Sequence, residues 1–76
     1  MSKLRHRIVD GRGRTEVQAL IDEWVIGQYG ERNRKIMARY LIDGIKLEQI
    51  AEEYDMSTQG ICDVIYECCD KLIAHI

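Results

Sequence analysis

Four side chains that commonly bind metals or act as nucleophiles crowd the C-terminal part of the chain: Cys62, Cys68, Cys69 and His75. Zinc sites usually draw cysteine pairs from turns, with about two to four residues between them. Here the thiols share one helical stretch, which makes a poor cage. An odd number of cysteines also argues against a disulfide framework. Packing is their expected role. No Ser/His/Asp or Cys/His arrangement suited to nucleophilic catalysis is present. The step Gly11-Arg12-Gly13 is too short for a phosphate loop. The expectation is no enzyme, no metal and no cofactor.

What remains is hydrogen-bonding chemistry toward another macromolecule. Ser57, Thr58 and Gln59 open a predicted helix, and Cys62, Asp63 and Tyr66 follow within about two turns. Hydroxyls serve phosphate oxygens, and a glutamine amide matches an adenine edge. Asp63 has the acceptor for a cytosine amino group but repels phosphate. No lysine or arginine lies between Leu47 and Tyr66, so guanine cannot be read here by a bidentate arginine.

Charge is distributed unevenly. The net charge of −2 divides into +4 over residues 1–39 and −6 over residues 40–76. The front half is suited to phosphate, and the back half repels it. No apolar run approaches the roughly 20 residues of a membrane helix. "MSKLRHR" lacks the apolar segment of a secretory signal. These features predict a soluble, cytoplasmic protein with reduced thiols.

The elements that must position these residues are helices. The chain has 76 residues and no proline, and its apolar residues fall at helical spacing. The reading is an all-α, four-helix domain over 15–76, preceded by a flexible basic arm over 1–14. Glycines 11 and 13 favour loop in the arm. Lys3, Arg5, Arg7, Arg12 and Arg14 are its candidate phosphate contacts.

A first helix is expected from Thr15, with Gln18 completing a capping box. Val17, Leu20, Ile21, Trp24 and Val25 form its stripe, and Gly30 closes it. A second helix covers about 31–43, with Ile36, Met37, Tyr40 and Leu41 inward and Gly44 as its stop. A third covers about 47–54. The fourth is capped by Ser57 and runs to the C-terminus.

The last two helices fit a helix-turn-helix. With Leu47 as the first position, Ile50, Tyr54, Met56, Ile61 and Val64 fill the positions that form the small core between the helices. Ala51 stands where the second helix must pass close. Asp55 occupies the turn position that often needs φ > 0, a conformation aspartate tolerates better than most residues.

Residues 31–72, "ERNRKIMARYLIDGIKLEQIAEEYDMSTQGICDVIYECCDKL", resemble the fourth conserved region of bacterial sigma factors. The likeness lies in the Arg-rich helix start, "YLIDG" at 40–44, "LEQIAEEYDMS" at 47–57 and the Lys71-Leu72 ending. It covers just over half the chain. The resemblance implies a free-standing domain, such as a small regulator on a phage or mobile element. It also implies a second motif helix that reads promoter DNA and a surface that docks on RNA polymerase. Sigma-type versions carry several arginines where this chain has Thr58, Gly60 and Cys62.

Two functions follow. The first is a DNA-binding transcription regulator. Ser57, Thr58, Gln59, Cys62, Asp63 and Tyr66 would lie near the bases, and Lys46, Arg39 and the arm near phosphates. A dimer would read half-sites about 34 Å apart. The second is a protein-interaction module for RNA polymerase, a sigma or anti-sigma factor, or another host protein. It rests on the apolar arc of the last helix, which spans roughly 200° at about 100° per residue. Ile65, Cys69, Ile73 and Ile76 would supply that interface, or a homo-oligomer contact.

Overall fold

The computed structural model describes the backbone of residues 2–76 and the side chains of residues 4–76. The described residues form five α-helices: α1 Ser2–Val9, α2 Arg14–Trp24, α3 Gly30–Leu41, α4 Leu47–Glu53 and α5 Thr58–Ala74. The all-α expectation holds. No described helix is long and apolar enough to cross a membrane.

The segment expected to be a flexible arm is largely helical. Leu4 and Ile8 stand one turn apart on the same face. Ile8 is completely buried, and Leu4 and Val9 pack against the core. Gly11, at φ 77°, turns the chain out of α1. The Arg12 guanidinium donates to the Ile8 carbonyl at 3.1 Å, satisfying an acceptor in the last turn. The domain therefore has five helices where four were expected.

Later elements fall close to their expected bounds, with two differences at the ends of α2. Its N-cap is Gly13, without a side-chain cap, and Gln18 donates to Asp22 instead of closing a capping box. At its other end α2 stops at Trp24, and Gly30 opens α3 rather than closing α2. Arg34 donates to the Val25 carbonyl at 2.9 Å in the link between the two helices. A Cβ on Gly30 would stand 2.9 Å from that guanidinium, so a larger residue here would displace the Arg34 side chain.

Helix α5 is the centre of the domain, and each of the other helices packs on it. Ile61, Val64, Ile65, Cys68, Cys69 and Leu72 are its buried face. Near its C-terminal end, His75 stacks on Trp24 with ring centroids 3.6 Å apart and planes within 4°. No polar or charged side chain is buried among the described residues, so the core is held by apolar packing.

Candidate nucleic-acid interface

The link from α4 to α5 spans residues 54–57. Ile50 and Ala51 on α4 face the buried Ile61 and Val64 of α5 across this junction, with Tyr54 and Met56 packed at its edge. Asp55 adopts φ 52°, the left-handed conformation expected at this turn position. The Met56 N–H then donates to the Ala51 carbonyl at 2.9 Å, which folds the chain back behind α4. The Ser57 hydroxyl oxygen accepts from the Gly60 N–H at 3.0 Å and caps α5.

The outer side of α5 brings most of the expected reading residues together. Thr58, Gln59, Asp63 and Tyr66 are exposed, and Cys62 is half-buried beside them. Spacings of three and four residues place them on one strip. Gln59 Nε2 donates to Asp63 Oδ1 at 2.9 Å, so these two groups form a single polar unit. Glu67 and Asp70 continue the strip as exposed carboxylates.

Several cations expected to reach phosphate are instead committed within the fold. Arg39 binds both Glu53, with Nε to Oε1 at 3.0 Å, and Asp43, with Nη1 to Oδ2 at 3.3 Å. The paired Arg39 holds the Glu53 carboxyl below the usual carboxylate range. That contribution to stability is therefore present above the unfolded carboxylate's pKa and is lost as pH falls through the lower folded value. Arg5 donates to the carbonyls of Tyr40 and Leu41 at 3.4 Å each, closing the end of α3. Arg12 serves α1, and Arg14 stands 3.5 Å from Asp43. Arg7 and Lys46 are exposed, and the Lys3 side chain lies outside the described residues.

The Arg-rich start of α3, read from the sequence as a solvated face that could also flank DNA phosphates, lies beside the end of α4. Arg32, Lys35, Tyr29 and Tyr54 line a shallow groove of about 400 Å³. The Arg32 guanidinium sits over the Tyr29 ring, 4.7 Å from its centroid. Arg32 and Lys35 are visible as charges in the sequence. Their proximity to Tyr54, the residue that caps α4, depends on how α3 packs against α4.

Two residues expected to form an interface are enclosed. Ile65 and Cys69 are completely buried, while Ile73 is half-buried and Ile76 remains 46% exposed. Every other helix, α1 included, packs on α5, so these side chains are covered within the domain. Burial pushes the Cys68 thiol up and the Cys69 thiol up to about 12. At pH 8 a disulfide reagent should therefore modify Cys62 rapidly and the other two thiols only when the protein unfolds. Absorbance titration with and without denaturant checks this; three rapid equivalents from the folded protein would contradict the burial. Among the described residues, no three His, Cys, Asp or Glu side chains form a metal-binding group.

Comparisons with protein-family models, curated proteins and solved structures find no match for the chain.

Proposed function

We propose that the chain is a small DNA-binding regulator of the helix-turn-helix type, with the N-terminal half of α5 directed into the major groove. The observation that carries this reading is the α4–turn–α5 junction. Its inner side is closed by Ile50, Ala51, Ile61 and Val64, while Thr58, Gln59, Asp63 and Tyr66 face outward. The left-handed Asp55 and the Ser57 cap support the same reading, as does the resemblance to sigma region four. Lys46, Arg7 and Arg32 are the cations proposed to meet phosphates, since Lys35 pairs with Glu31 at 3.6 Å.

Titration of a labelled random duplex by fluorescence anisotropy tests the proposal. With about three or four phosphate contacts, log affinity should fall with log salt at a slope of about −3. Absence of binding at 20–50 mM salt, roughly the low end of the range where such contacts are strongest, would sink it.

A second reading has one observation in its favour. Asp63, Glu67 and Asp70 form an exposed acidic row on α5, suited to a basic surface on RNA polymerase or a sigma or anti-sigma factor. Its apolar component is reduced by the burial of Ile65 and Cys69. Asp63→Arg separates the readings: it strengthens duplex binding under the first and weakens a basic protein partner under the second.

A further inference from the structure

We infer that Gln59 and Asp63 act together as an adenine-reading unit, with Asp63 as the positioning residue. This inference rests on the proposed DNA-binding reading. An aspartate on a DNA-facing helix is unfavourable as a phosphate contact, because like charges repel. Its geometry gives it a different use. Asp63 Oδ1 accepts one N–H from the Gln59 carboxamide at 2.9 Å, and both residues are exposed on the outer side of α5. Gln59 lies in the first turn of that helix, where base-contacting residues of such helices stand.

A glutamine amide has two N–H donors and one carbonyl acceptor. Adenine offers the N7 acceptor beside the N6 amino donor in the major groove. A bidentate match uses the amide oxygen and the N–H on the same side of the C–N bond. The second N–H then points away from the base. A carboxylate one helical turn along the same face holds that second N–H and fixes which edge of the amide faces outward. An unrestrained glutamine rotates and offers its oxygen or nitrogen to several bases. The bond to Asp63 removes that freedom before the DNA arrives.

The neighbouring groups agree with this role. Thr58, also exposed, has a methyl group suited to a thymine methyl, and no cation lies on the strip to favour guanine. Asp63 Oδ1 is already engaged by the Gln59 amide, so the carboxylate acts on the glutamine rather than on a base or a phosphate. The preferred site should contain an A·T pair opposite Gln59.

The test has two arms, both on the full chain. Duplex binding at low salt is measured first; if none is seen, the DNA-binding reading fails and this inference fails with it. A duplex library randomised over one helical turn is then selected with the wild type, Gln59→Ala, Asp63→Ala, the double variant Gln59→Ala/Asp63→Ala, and Asp63→Asn. The wild type should enrich adenine at one position by roughly 5- to 150-fold over the other bases. Gln59→Ala and Asp63→Ala should each abolish that preference, and the double variant should lose no more than either alone. Asp63→Asn keeps an acceptor oxygen and should retain it. Random-duplex affinity should be higher in Asp63→Ala, because a like charge leaves the DNA-facing strip, and helix content by circular dichroism should match the wild type. A pair that only stabilises the helix would alter melting and leave base preference untouched. Wild-type binding without adenine enrichment, or full enrichment in Asp63→Ala, would overturn the inference while leaving DNA binding intact.

Discussion

Replacing Ile8 by alanine should lower the unfolding free energy by about 2–4 kcal/mol. Ile8 has no exposed surface, and it lies on α1, which packs against α5. A large apolar side chain truncated in such a site loses its transfer free energy and leaves a void. Small domains have total stabilities of about 5–15 kcal/mol, with short chains toward the lower end, so this is a substantial fraction. The midpoint of thermal unfolding should fall by on the order of 10–30 °C. Urea denaturation followed by far-ultraviolet circular dichroism gives the free energy directly. A solvated arm would show a change within about 0.5 kcal/mol, the usual range for surface substitutions away from special features. An unchanged midpoint would therefore contradict the docking of α1.

Ala51→Leu should separate fold from function more sharply than any surface change. Ala51 is 5% exposed on α4, at the junction with α5. The chain turns back behind it, because its carbonyl accepts the Met56 N–H. Three added carbons have no room without moving one helix against the other. Overpacking of this kind costs about 1–3 kcal/mol. The displacement falls on the first turn of α5, so duplex affinity should drop by at least about tenfold, the equivalent of 1.4 kcal/mol. Ala51→Gly is the control. It costs about 1 kcal/mol in helix propensity but preserves the space, so its duplex affinity should stay near wild type. Melting curves and anisotropy on both variants check the pair. Equal duplex affinity in Ala51→Leu and wild type would show that the α4–α5 geometry is not what positions the DNA-contacting strip.

The residues explain which features were legible in sequence. Ser57, Asp55 and Gly44 carry local signals: a hydroxyl before a helix, and two residues that tolerate positive φ. Each does what its chemistry suggests, because a cap or turn is decided within a few residues. The stripe of α3 was legible for the same reason, with Ile36, Met37, Tyr40 and Leu41 at one spacing. α1 was obscured by its composition. Leu4 and Ile8 are diluted by Arg5, His6 and Arg7, and the glycines at 11 and 13 end any periodic pattern. Its helix depends on tertiary packing more than on propensity. The Arg39–Glu53 pair was hidden because its partners lie 14 residues apart on different helices. The burial of Ile65 and Cys69 goes with a fifth helix packed on α5, which a reading of residues 1–14 as an arm leaves out. At the candidate site, the identities of Gln59 and Asp63 were visible, but the bond between them needed the helix to be built.

The position of α5 in chain order has a consequence for biosynthesis. The four helices that precede α5 in the chain all pack on it. At about 5–20 residues per second, the 17 residues of α5 take roughly one to three seconds to appear. During that interval α1, α2 and α3 lack the helix they pack against in the finished domain. Folding is thus a late event for this chain, completed only once its most apolar helix is available, and a ribosome stalled before Thr58 would carry a segment with no finished core.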